Sequence, residues 1–172
     1  MHNPVMIRQR KYGGAEGWNR QADLVDGSDA WLVTLSDPAR HLLLVGRRAE
    51  TFPHFVVAFH NVLLPIAWEI VFDSLGRFIR ATCDAILPAS LNGRFVDFVD
   101  LDLHLILEPS GSYFVQDQEE FVKNAVACPA SAVRMAWDGV RLARAVAESR
   151  AYPLDSSAER ILGMALASAG PL

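Results

Sequence analysis

Cysteine is scarce in this chain. The two present, Cys83 and Cys128, lie far apart with no Cys-x-x-Cys spacing. That pattern carries neither a disulfide framework nor a paired-thiol motif, and the expectation is two free thiols in a cytoplasmic protein. A basic excess is missing too: 16 Lys and Arg against 20 Asp and Glu leave a net charge of -4, so bulk charge does not draw the chain to nucleic acid. No apolar run reaches the roughly 18 residues of a membrane span. The opening "MHNPVMIRQRKYGG" lacks the cationic and apolar regions of a secretory signal. Internal repeats and low-complexity linkers are also lacking. What remains is ordinary globular composition, 51% hydrophobic and 21% charged, in one expected domain over residues 1–172.

Along that domain the hydrophobic period changes once. "VMIRQRK", "NRQADLV", "AWLVTL", "HLLLVGR", "FVVAFH", "LLPIAWEIVF", "FIRATCDA", "GRFVDFVDLDLHLILE" and "SYFVQ" read as strands. They are punctuated by the turn clusters "YGGAEG", "DGSD", "SDPAR", "AETFPH", "DSLGR" and "PSG". From Asp117 onward the period becomes helical. "DQEEFVKNAVA" is a short helix, and Pro129 precedes a longer one with Val133, Ala136, Trp137, Val140, Ala143 and Ala147 on a single stripe. Seven to nine strands followed by helices predict an α+β fold. Residues 1–116 form a strongly curved antiparallel, barrel-like sheet, and residues 117–172 a helical flank.

The stretch "FVDFVDLDLHLILEPSG" is the chemically informative one. Alternation puts Leu101, Leu103, Leu105 and Leu107 on one face and Asp100, Asp102 and His104 on the other. A two-residue turn at Pro109-Ser110 would set Asp102 directly opposite Asp117, with Glu120 three residues further on. Opposed like charges destabilise a sheet, so a positive charge is expected between them. Oxygen donors with one imidazole suit Mg²⁺, Mn²⁺ or Co²⁺. Two plainer readings stand beside this one. Asp117 and Glu120 could form a helix capping box, and the Asp100/Asp102/His104 face could be the solvated side of a strand.

"CDAILP", "FVDLDLHLILEPSG" and "VQDQEEF", in this order and spacing, resemble the domain-of-unknown-function 402 family. That family includes nucleoside tri- and diphosphate phosphatases and the fosfomycin-pathway hydrolase of a cytidylyl phosphonate. The resemblance runs from about Trp68 to Phe121 and implies a curved β-barrel with flanking helices and divalent cations. By position it makes Asp100, Asp102, Asp117 and Glu120 metal ligands. Asp84 stands where the family has Asn, and His104 where it has a bridging Asp. The family's amino-terminal Arg falls at Trp18, with Arg20 two residues on. His104 offers one lone pair where a carboxylate offers two oxygens, so one ion rather than two is among the outcomes.

Two functional expectations follow. The first is a metal-dependent phosphohydrolase of a diphosphate or nucleotidyl-phosphonate type substrate with a hydrophobic moiety, in a specialised biosynthetic pathway. Asp84, Asp100, Asp102, His104, Asp117 and Glu120 would hold one or two ions, and Arg20, Lys123 or His104 would act on the substrate. The second is a barrel turned to metal-independent lyase, isomerase or cyclase chemistry on an apolar intermediate, with His104 and Asp102 or Asp84 moving protons. The apolar segment "HFVVAFHNVLLPIAW" supplies wall residues in either case, with Trp18, His54, His60 and Trp68 as the expected pocket lining. Non-catalytic binding of a small effector is a third option. The expected partner is a small molecule, phosphorylated or apolar, bound by a monomer or homodimer.

Overall fold

The computed structural model describes residues 3–46 and 48–168; residues 1–2, 47 and 169–172 of the expected domain lie outside the described residues. The expected α+β order is observed. Ten strands come first: β1 (Pro4–Lys11), β2 (Glu16–Gly27), β3 (Trp31–Ser36), β4 (Leu42–Val45), β5 (Arg48–Thr51), β6 (Phe55–Asn61), β7 (Ile66–Phe72), β8 (Phe78–Asn92), β9 (Phe95–Leu107) and β10 (Tyr113–Gln116). Three helices follow: α1 (Gln118–Ala125), α2 (Ala130–Ser149) and α3 (Ser157–Ser168). No helix among the described residues is long and apolar enough to cross a membrane.

Seven strands close a barrel in the order β1, β9, β8, β7, β6, β3, β2, with β2 returning to β1. The β4–β5 hairpin extends from β2, and β10 extends from β9. Two features depart from the sequence reading. The barrel is not wholly antiparallel, because β1 runs parallel to β9. An odd-membered ring cannot alternate strand direction all the way round, so one parallel pair is unavoidable. The second departure is β5, which runs from Arg48 into the "AETFPH" cluster read as a turn. All four of its residues are exposed, so it carries no hydrophobic alternation to reveal it.

Alternation sorts the barrel wall into two faces. Outward, Phe59, Trp68, Phe72, Leu105 and Leu107 pack against α2 and α3 through Ala143, Ala147 and Leu162. Leu101 and Leu103, with Ala85, pack under α1 and α2 against Phe121, Ala136 and Val140. Inward, Ile7, Leu32, Ile86, Val96 and Phe98 fill part of the interior. Each large side chain fully buried in these layers contributes about 1.5–3 kcal/mol. Helix α2 approaches β8 very closely at Gly139, where a Cβ would lie 2.5 Å from the Pro65 carbonyl oxygen and 3.0 Å from the Ala85 Cβ. That contact braces the wall from behind, one residue from Asp84.

Candidate active site

The site begins with a defect in β9. Asp84 pairs with His104 and Ile86 with Asp100, so Leu101, Asp102 and Leu103 together face the single residue Ala85. This bulge keeps Leu101 and Leu103 under the helices while Asp100 and His104 stay on the inner face. Asp102, at its centre, adopts φ 63°. That left-handed conformation is costly for a side-chain-bearing residue, though Asp tolerates it better than most. Such strain is characteristic of functional positions. The Asp102 amide donates to Asp100 Oδ1 at 2.8 Å, which ties the bulge together.

Strand β1 supplies the partners. Its parallel register sets Lys11 beside Asp100. Lys11 Nζ donates to Asp100 Oδ2 at 2.7 Å and to Asp102 Oδ1 at 2.5 Å. Gln9 Nε2 donates to the same Asp100 oxygen at 2.8 Å. Asp100 is completely buried, and an unpaired carboxylate there would cost several kcal/mol. Burial opposes the Lys11 ammonium, but hydrogen bonds and charge from Asp100 and Asp102 outweigh it and lift its pKa above the ordinary lysine range. Next to this group, Asp84 and His104 share a hydrogen bond of 2.8 Å between Oδ1 and Nδ1. Burial works against the His104 cation, yet the Asp84 hydrogen bond and charge, with Asp100, raise its pKa to about 9. Burial likewise pushes Asp84 up, with His104 pulling the other way. Both shifts mean that the pair keeps its proton to higher pH than either group alone. His104 Nε2 lies 3.8 Å from Asp117 Oδ2.

A second polar group lies on the inner face. Arg20, on β2, forms a bidentate pair with Glu69 of β7 at 2.6 and 3.2 Å, and its guanidinium sits 4.8 Å from the Trp18 ring. Burial opposes the Glu69 carboxylate, but Arg20 more than offsets it and holds its pKa below the ordinary range. His60 is fully buried with its ring 5.3 Å from that of Phe98, and neither ring nitrogen has a hydrogen-bond partner among the described residues. Burial lowers its pKa to about 4, Glu69 and Arg20 acting in opposite senses. His60 is therefore neutral at pH 7.

The structure brings Asp84, Asp100, Asp102, His104 and Asp117 together, and puts Trp18, Arg20 and His60 on the same inner face. Two expected pocket residues are placed differently, and two residues of α1 are exposed. Trp68 is wholly buried on the helix-facing side, because it pairs with Cys83 while its neighbour Ala67 pairs with Asp84. His54 lines a small cavity with Arg20, His41 and Phe52, apart from the acids. Glu120 and Lys123 are exposed on α1.

The expected Asp102–Asp117 opposition does not form. The hairpin loop is Pro109-Ser110-Gly111, closed by Glu108 N–H to Ser112 O, with Gly111 at φ 88°. The register moves by one, and Gln116 faces His104. Asp117 leaves the sheet at φ 62° and makes no side-chain cap to α1, so the capping-box reading does not describe it either. The cation beside Asp102 is Lys11, which pairs with Asp100 and Asp102 and not with an Asp102–Asp117 pair. Sequence pattern does not single out Lys11, Gln9 or Glu69. Ile7, Gln9 and Lys11 share one face of β1, but only barrel closure brings that face to the acids.

No family model matches the chain, and no curated protein matches it in sequence. Solved structures do match. One is the phosphatase SC4828 with the non-hydrolysable nucleotide GPCP, at a TM-score of 0.77 and 18% identity, covering 92% of this chain and 87% of that one. The fold is that of this phosphatase. FomD in complex with CDP matches at a TM-score of 0.69 and 15% identity, over 88% of both chains.

The resemblance implies divalent cations, and the donors can be tested for fit. Asp100 and Asp102 are bridged by Lys11, Asp84 is engaged by His104, and Glu120 is exposed on α1. Among the described residues, no group of three or more His, Cys, Asp or Glu is set to hold a metal ion. This arrangement does not fit a divalent cation while Lys11 is seated in it.

Proposed function

We propose that the chain is a phosphohydrolase of a small phosphorylated substrate, of the diphosphate or nucleotidyl-phosphonate type. The observation that carries this reading is the Asp84–His104 pair beside Lys11, on the inner face of a barrel with the fold of a phosphatase. Asp84 orients His104 by accepting the Nδ1 proton, which leaves Nε2 facing Asp117. From Nε2 the imidazolium protonates the leaving oxygen as the phosphorus–oxygen bond breaks. Asp117 accepts the proton of the attacking water. Lys11 faces the developing phosphate charge as a point cation. The apolar interior beyond, with Ile86 and Phe98, suits a substrate that also carries a hydrophobic part.

The same pair supports the lyase, isomerase or cyclase reading, which the apolar cluster of Ile7, Ile86 and Phe98, with the neutral His60 ring against Phe98, favours if the substrate is apolar. Hydrolysis separates the two, read as inorganic phosphate from the nucleoside di- and triphosphates and as CMP from the cytidylyl phosphonates. A panel of nucleoside diphosphates, triphosphates and cytidylyl phosphonates is assayed with Mg²⁺, with Mn²⁺ and with EDTA. His104→Asn is expected to lower kcat by about 100-fold or more. No release from any panel member, or an unchanged kcat in a folded His104→Asn variant, overturns the proposal.

A further inference from the structure

We propose that Lys11 is the resident cation of the acidic site: its tethered ammonium occupies the position between Asp100 and Asp102 that a divalent ion would need. The inference takes the acidic cluster as the active site, as in the proposed function, but its geometry and its test do not depend on turnover. Nζ stands 2.7 Å from Asp100 Oδ2 and 2.5 Å from Asp102 Oδ1. Gln9 donates to that same Asp100 oxygen, and the Asp102 amide takes the other. Both oxygens of a completely buried carboxylate are thereby engaged by the chain itself. An ammonium is a compact point charge with three donors, so it can satisfy two carboxylates much as a hard metal ion does.

The location is built in. Lys11 is the last residue of β1, and the parallel β1–β9 ladder places it level with Asp100. A cation delivered by a strand has no dissociation equilibrium to meet, whereas an ion from solution must displace it and then endure its repulsion at short range. The His104 position acts in the same direction. Its Nδ1 is turned to Asp84, so one Asp84 oxygen is already engaged and only Nε2 of the ring is left open to an incoming ion.

The test is Mn²⁺ binding, followed by the electron paramagnetic resonance of free Mn²⁺ and by thermal melting, for wild type and Lys11→Met. Wild type is expected to show no stoichiometric binding at micromolar Mn²⁺, and Lys11→Met to gain affinity by about tenfold or more. If Lys11→Met is unfolded alone, Mn²⁺ is expected to restore its melting transition. Tight stoichiometric binding by wild type overturns the proposal. So does a Lys11→Met protein, folded or not, that Mn²⁺ neither binds nor restores. Failure of the phosphatase assays alone would leave these binding results untouched.

Discussion

Removing one side of the Arg20–Glu69 pair tests how dry the barrel interior is. Arg20 is 4% exposed, and the two side chains are 5% and 17% exposed. Breaking a buried pair by deleting one partner costs about 3–5 kcal/mol, because the survivor is left charged and unsolvated. The cost should be unequal. Glu69→Leu strands a guanidinium that cannot deprotonate, which puts it near the upper figure. Arg20→Met leaves a carboxylate that is a little more exposed and can take up a proton, which puts it near the lower one. For a chain of this size each kcal/mol lowers Tm by roughly 2–4 °C, so the single variants should melt at least about 6 °C below wild type. The double variant should be more stable than the sum of the single losses by about 2 kcal/mol or more. Urea unfolding followed by tryptophan fluorescence at pH 7 measures all four proteins. Single losses below about 1 kcal/mol, the range of exposed pairs, or strict additivity would refute the reasoning. The pair also has a pH signature. The Glu69 pKa is depressed on folding, so its contribution is present above the unfolded carboxylate pKa and is lost as pH falls through the folded one.

Two further outcomes are expected. His104 rises on folding from 6.5 to about 9, so the stability it contributes is fully present below pH 6.5 and disappears as pH rises through about 9. Imidazole NMR should follow that titration in wild type, and Asp84→Asn should bring the midpoint down; a midpoint near 6.5 in wild type would contradict the pairing. Gly139→Ala should destabilise by about 1–3 kcal/mol through overpacking, despite a helix-propensity gain of up to about 1 kcal/mol. The added Cβ would meet the Pro65 carbonyl at 2.5 Å. Chemical denaturation decides this, and a stabilised variant would show that α2 can shift away from β8 freely.

Much of the fold follows from local patterns. The period-2 run of β9 and the helical stripe of α2 are both strong and both occur where the sequence places them. The β5 strand escapes because four exposed residues carry no periodic burial. The one-residue difference at the 108–112 hairpin arises because Pro109-Ser110-Gly111 can be read as a two- or a three-residue loop. Gly111 in the left-handed region decides for three.

The candidate site divides along the same line. The sequence by itself determined that Asp100, Asp102 and His104 share a face apart from the leucines, because side-chain direction along a strand is a local property. The cation beside them was decided by tertiary structure alone, because the expected Asp102–Asp117 opposition does not form and Lys11 pairs with Asp100 and Asp102 instead. Lys11 and Asp100 are 89 residues apart, and closure of a seven-stranded ring forces β1 to lie parallel to β9, bringing the ammonium level with the acids. Long-range register of that kind has no signature in either strand, because each strand encodes only its own alternation and not its neighbour.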